Sequence, residues 1–410
     1  MNKYSLSALV AAGLLAGYAT SASAADLGGN CCADLEERIA ELEATTARKG
    51  NRKVSLTVSG WVSQQVMYWD DGFESNVYVS DIGTTLSSNV KFTGQATIAP
   101  GYSAGYVMHL ETVSSEALLG INQNADNGRS ILADRPNAVQ VVQSYWFIKS
   151  EALGKVSVGL QSHASDNTAI LVDGSGSLVP ANYVAFDYGG FFHGASARPM
   201  IADIACMDCN GVPNNAVRYD SPSFAGFSVS ASWGEDDFWD VAARYAGEFS
   251  GIKVAVAAAY SESTDNNGPG LNQLGAQVQP LQGGDSQFFQ VGAYVQHVPT
   301  GLFLYGAYAT LDVDNGIESD SWYAKAGIRQ RWSSLGHTVL FGEYLDGNID
   351  ANNGVGLSEN NLWGVGVVQE IDAAAMSVWL TYRSADVEQL GINGVQTDFD
   401  YVKFGALINF

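Results

Sequence analysis

The stretch Phe227–Trp233 reads FSVSASW, so that Phe227, Val229, Ala231 and Trp233 alternate with Ser228, Ser230 and Ser232. A strict period of two is the pattern of a strand with one apolar and one polar face. Ile252, Val254, Val256, Ala258 and Tyr260 repeat it in IKVAVAAAY, and Phe404, Ala406, Ile408 and Phe410 repeat it in DYVKFGALINF (Asp400–Phe410). The opposite faces are mostly small or polar, as in Ser55, Thr57 and Ser59, or Lys91, Thr93 and Gln95. Faces so rich in serine and glycine supply little to a buried core, so the apolar faces must look at some other apolar medium.

From Val54 onward such strands, about ten residues each, are joined by connections that alternate short and long. Tight Gly-, Pro- or Ser-rich turns fall at 99–102, 151–154, 223–226, 250–251, 298–301, 333–336 and 372–375. Longer segments run through Asp70–Ser87, Val113–Asn137, His163–Pro213, Ser261–Asp285, Asp312–Ser319, Gly347–Asn360 and Ala385–Gln396, with a brief one at Gly234–Asp236. Together they separate sixteen strands, with both ends of the chain on the tight-turn side. Aromatic residues gather near strand ends, at Tyr68 and Trp69, Tyr145 to Phe147, Trp233, Phe238, Trp239, Phe249, Trp322, Trp332 and Phe410. An even number of such strands, apolar outside, polar inside and girdled by aromatics, predicts an all-β fold, a 16-stranded antiparallel transmembrane β-barrel. The closing strand would pair with the first, leaving no edge unsatisfied in hydrocarbon. A soluble β-sandwich would need more even loops and a larger core.

Composition agrees. Only 15% of the 410 residues are charged, 45 are glycine, and the formal charge is −23. That balance argues against a nucleic-acid partner, which demands a basic face. Lys3, an apolar run from Leu6 to about Thr20, and Ala22-Ser23-Ala24 read as a secretory signal peptide over 1–24. Downstream of it no apolar run reaches the roughly 18 residues of a membrane helix. Residues 25–52 hold the one convincing helix, ADLEERIAELEATTARK (Ala33–Lys49), a short N-terminal periplasmic segment with Leu35, Ile39 and Leu42 on one face. Packing on its own protein and a small coiled-coil stub both fit it. The barrel is expected over 53–410.

Export permits disulfides. Cys206 and Cys209 flank Met207-Asp208 and read as a small loop bridge, without the βαβ setting of a redox motif. Cys31-Cys32 is harder to close on itself. No metal site is expected: DVDNG (Asp312–Gly316) and DGNIDANNG (Asp346–Gly354) have calcium-loop spacing but lack the distal Glu. The five histidines are scattered, no phosphate-cradling glycine pattern opens a helix, and neither catalytic residues nor cofactors are expected.

The segment CCADLEERIAELEATTARKGNRKVSLTVSGWVSQQVMYWDDG (Cys31–Gly72) resembles the mature start of alphaproteobacterial general outer-membrane porins. The FGALINF ending, with its terminal aromatic Phe410, is similar to that superfamily's assembly signal. The resemblance implies a homotrimer in the Gram-negative outer membrane, among outer-membrane lipid, lipopolysaccharide and the assembly machinery. It implies that each barrel is its own water-filled pore, with the third long loop folded into the lumen. Here that loop is about 163–213, the longest of all.

In such porins basic residues on early strands face acidic residues on the infolded loop. Strand parity turns Lys91 and Arg218 inward, since Phe92 and Tyr219 take the outer face. The loop offers Asp166, Asp173, Asp187, Asp203 and Asp208, of which Asp173 and Asp187 are the favoured pore residues. Later strands add inward Arg244, Lys325, Arg329, Arg331, Arg383 and Lys403. The second and fourth strands carry few basic residues, so a dense arginine ladder is not expected. Most acidic residues fall in the long loops, and a negative outer mouth predicts mild cation preference at low salt. The expected function is passive diffusion of small hydrophilic solutes. The alternative is a sugar- or anion-selective channel of the same fold, hinted at by inward Trp61, Trp379 and Tyr323.

Overall fold

Period-two alternation becomes a closed ladder. The computed structural model describes residues 53–83, 85–113, 121–124, 138–196, 198–208, 211–234, 237–264, 284–314, 316–351, 355–390 and 394–410. The expected signal peptide, the helix Ala33–Lys49, Cys31-Cys32 and Cys209 lie outside the described residues.

The strands are β1 (Thr57–Asp70), β2 (Ser75–Ser80), β3 (Asn89–Ala99), β4 (Tyr102–Val113), β5 (Ala138–Ser150), β6 (Gly154–Gln161), β7 (Asn214–Asp220), β8 (Phe227–Gly234) and β9 (Trp239–Phe249). There follow β10 (Ile252–Ser263), β11 (Ser286–His297), β12 (Leu302–Val313), β13 (Ile317–Gln330), β14 (Thr338–Ala351), β15 (Val355–Ile371), β16 (Met376–Gln389) and β17 (Gln396–Asn409). From β3 onward each pairs antiparallel with the next. The last returns to the first, with Trp61 opposite Asn409 and Asp70 opposite Asp400. Phe410 finishes the closure: its N–H donates to the Gly60 carbonyl at 3.0 Å, and the Gly60 N–H donates to its carbonyl at 3.1 Å.

On its other edge β1 pairs with β2 along Gln65–Asp70 and with β3 along Thr57–Trp61. β2 and β3 are therefore two halves of one stave, and the described strands form a closed sixteen-stave antiparallel barrel. This corrects the reading of Asp70–Ser87 as a loop. Asp71 caps a tight turn by accepting the N–H groups of Phe73 and Glu74 at 2.9 and 2.8 Å, and the chain re-enters the sheet at Ser75. Only Asp81–Ser88 leaves the ladder. Trp61 Nε1 holds it by donating to the Leu86 carbonyl at 3.0 Å.

The outer face is the apolar one. Val62, Tyr68, Trp146, Trp233, Leu304, Trp363 and Phe404 are all exposed there, as a lipid-facing wall requires. Tyr308, Trp322, Tyr344, Trp363 and Tyr382 continue from strand to strand as an aromatic row. Above that row the strands are longer than the loop pattern suggests, up to 17 residues in β15. There the outward positions turn acidic: Asp312, Glu318, Asp320, Asp346, Asp350, Glu359, Asp386, Glu388, Asp398 and Asp400. Polar residues on the outer face are affordable where the strands stand clear of hydrocarbon.

Candidate pore and its infolded loop

The expectation of a uniformly polar interior fails on one side, for a visible reason. The long connection from Ser162 to Pro213 folds into the barrel and packs against the inner faces of β10–β17. Those faces carry Tyr294, Tyr305, Tyr323, Val339, Phe341, Val368, Trp379, Phe399 and Tyr401, all buried. The loop answers with Ile170, Val172, Tyr183, Tyr188, Phe191, Met200 and Ile204, and the two sets form one apolar core. Trp69, expected in the girdle, instead packs inward on Phe191 with ring centroids 5.2 Å apart. Small wall residues let the loop backbone lie close: a methyl group added at Gly292 would fall 2.9 Å from Ala169 Cα.

Charged groups close the seam. Lys325 Nζ meets Asp173 at 2.5 Å with both side chains fully buried, and also donates to the Ala181 carbonyl at 2.7 Å. Asp187 accepts from Lys403 at 2.5 Å, Arg383 at 3.1 Å, Tyr401 at 3.2 Å and Gln65 at 3.1 Å. The other side of the Arg383 guanidinium grips Glu343 through two bonds of 2.7 Å. Burial disfavours the Asp187 charge, but Lys403 and Arg383 outweigh it and hold the carboxyl below its usual range. Three cations thus face three carboxylates, and the seam is electrically neutral. The sequence-predicted residues Asp173, Asp187, Lys325, Arg383 and Lys403 come together here, as the fastening of the loop to the wall.

The start of the loop is pinned separately. Arg244 donates to Ser230, to the Ala164 carbonyl and to Thr168. His163 and Ser165 share the Asp240 carboxylate, at 2.7 Å each, and all three are buried. The serine hydroxyl therefore serves as an anchor. Arg218 donates to the carbonyls of Ser162 and His163 at 2.8 Å and pairs with Asp220. The loop's end lies beside its start, because Gln290 bridges the Ser165 carbonyl and Asp208 at 2.9 and 3.1 Å. Burial, reinforced by the nearby Asp166 carboxylate, pushes Asp208 up to about 7. Cys206 is disulfide-bonded, and its N–H donates to Ser319 Oγ at 2.8 Å. Lower in the barrel Arg329 pairs with Glu370 at 2.8 Å, and Arg331 with Asp372 on the exposed rim.

The less covered side is the opposite wall, β3 to β7, although inward side chains of β4 and β6 such as Val107, His109, Glu111 and Ser157 are buried there. Lys91, Thr93 and Gln95 on β3 and Tyr145 and Phe147 on β5 reach the lumen only partly covered. Lys91 has no hydrogen-bond or ion-pair partner among the described residues. Trp61, Tyr323 and Trp379, candidates for a lumenal aromatic track, do not form one: Tyr323 and Trp379 lie in the loop seam, and Trp61 is tied to Leu86. Sequence reasoning missed Glu343, an inward carboxylate between inward Phe341 and Leu345 whose signal was its parity. It also assigned Tyr145 to Phe147 jointly to the girdle, whereas only Trp146 points outward.

The model of the Gram-negative porin family matches residues 6–407. The chain belongs to the Gram-negative porin family. This porin is accordingly an outer-membrane channel. It is similar to a chitoporin of Vibrio furnissii, 29% identical over 200 residues. That match takes in 42% of this chain and 54% of the relative, so the porin spans about half the length of the curated protein it matches. In fold it is similar to the anion-selective porin of Comamonas acidovorans, with 17% identity, a TM-score of 0.57, and coverage of 87% of this chain and 100% of that one. OmpF of Salmonella typhi in complex with daunomycin gives 15% identity, a TM-score of 0.53, and coverage of 87% and 98%. The trimer form of Vibrio cholerae OmpT gives 15%, 0.53, 87% and 99%.

Proposed function

We propose that this porin passes small hydrophilic solutes and ions by passive diffusion along the open wall of β3–β7, beside a loop fixed in place. The observation that carries the reading is the neutral, buried seam of Asp173, Asp187 and Glu343 with Lys325, Arg383 and Lys403. It fills one side of the barrel and leaves the polar wall to be wetted. Lys91, Arg218 and Arg244 are the pore-side cations, and the loop the constriction. Proteoliposomes should swell in isotonic small sugars at a rate that falls with solute size. Swelling no faster than in protein-free vesicles would sink the reading.

The working unit is proposed to be a homotrimer, in keeping with the trimeric state of the OmpT relative. The exposed Phe410 serves as an assembly signal, and Cys206 pairs with Cys209. Outer-membrane lipid, lipopolysaccharide and the assembly machinery are its proposed partners, and the acidic band above the aromatic row is the surface that would face lipopolysaccharide.

A saccharide-selective channel is the second reading. The chitoporin relative favours it, together with the lumenal pair Tyr145 and Phe147.

A further inference from the structure

The inner face of β5 carries, in order, Gln143, Tyr145, Phe147 and Lys149. In register, Phe147 lies between the small residues Gly105 and Ser157, and Tyr145 between Val107 and Gly159. A methyl group added at Gly105 would come within 2.7 Å of Phe147 Cε1, so the ring rests over the glycine of β4. Gly159 has φ +133°, a conformation that side-chain-bearing residues rarely adopt. Its missing side chain leaves the Tyr145 flank low. Phe147 over Gly105 and Tyr145 beside Gly159 are therefore both partly uncovered toward the lumen.

Charge is set directly below them. Lys149 is exposed and has no ion pair among the described residues. Across the ladder stands Lys155, which shares Asp220 with Arg218 at 3.0 and 2.7 Å. Three cations thus stand around Asp220, with Asp166 and Asp240 also acting on Arg218, so the excess rests on Lys149. The loop across the lumen cannot offset the excess through Asp173 or Asp187, because both are already paired in the seam. An aromatic platform takes the C–H face of a pyranose ring, and a free ammonium next to it takes an anion.

We infer that Tyr145, Phe147 and Lys149 form a binding subsite for an acidic saccharide, with the sugar ring on the two aromatics and its carboxylate on Lys149. The inference rests on the channel reading above and names the solute class of that same lumen.

Single porin channels in a planar bilayer test it, with trigalacturonate, maltotriose and benzoate each added to the periplasmic side. The acidic trisaccharide should half-block the ion current at about a tenfold lower concentration than the neutral one, and benzoate should not block at those concentrations. Y145A/F147A should abolish block by both saccharides, whereas K149Q should remove only the advantage of the acid. Heat-modifiable migration on gels and an open channel in each variant show that the barrel has folded. Equal block by the two saccharides, block by benzoate, or undiminished block in Y145A/F147A would overturn the subsite. A wild-type chain that inserts but carries no ion current would instead overturn the channel reading.

Discussion

Lys403 on β17 and Asp187 on the infolded loop are 216 residues apart in the chain and 2.5 Å apart in space. The pair closes a chain of buried charge that runs from Asp187 through Arg383 to Glu343. Loop position, and with it the width of the pore, is held by these contacts together with the apolar core beneath them.

Asp187→Ala should release the loop. It strands Lys403 and Arg383 without their shared carboxylate, at a cost of about 3–5 kcal/mol for a broken buried pair. We expect noisy single-channel currents of altered amplitude and rapid proteolysis within residues 163–213, while the barrel stays heat-modifiable on gels. Wild-type current and protease resistance would show that the seam does not hold the loop.

Gly292→Val should displace the start of the same loop. The added side chain meets Ala169 Cα and Val172 Cγ2 at about 2.9 Å from its Cβ alone. Gly292→Ala should show a smaller change in conductance than Gly292→Val. Identical conductance in both variants and wild type would mean that the loop does not lie on this wall.

Asp208 makes loop docking pH-dependent. Burial and Asp166 raise its carboxyl from 3.8 to about 7, so the folded state holds a proton that the unfolded chain has lost. This contribution is complete below pH 3.8 and fades as pH rises through about 7. Thermal unfolding of the wild type should therefore drop between pH 5 and pH 8 relative to Asp208→Asn, by about 2–4 °C for each 1 kcal/mol lost. Parallel curves for the two proteins would remove Asp208 from the account.

Lys91→Gln should shift the reversal potential in a salt gradient toward cations, and more than Arg218→Gln does. Lys91 has no partner among the described residues to offset it, whereas Arg218 already faces Asp220. The difference should shrink at high salt, since screening acts over about 10 Å at 0.1 M. A larger shift from Arg218→Gln would reverse the ranking.

The barrel was legible because alternation, tight turns and lipid-facing aromatics all state one two-faced strand pattern. Loop docking was half legible. Parity turned Lys325, Arg383 and Lys403 inward, but the cations expected opposite the loop acids were Lys91 and Arg218 on earlier strands. Asp173 and Asp187 instead dock on the late strands, because a one-dimensional pattern holds no record of which wall the loop buries. Val339, Val368 and Trp379 face inward like any pore residue, and only the packed loop makes them a core. The expected negative mouth also depended on where strands end. Asp320, Asp346 and Asp398 sit on the outer face of the strands above the aromatic row, so they weigh less on the lumen than their place in the sequence suggested. Cation preference at low salt therefore loses part of its basis.

A loop docked on the late strands sends solutes along β3–β7 and not along β14–β15. Cysteine at Gln95 or at Val368, in channels whose wild-type parent is inert to the reagent, tests it directly when a charged thiosulfonate is added during single-channel recording. Gln95→Cys should show a stepwise fall in current, and Val368→Cys, buried under the loop, should show none. A step in Val368→Cys with none in Gln95→Cys would place the path on the other side of the barrel and contradict the account.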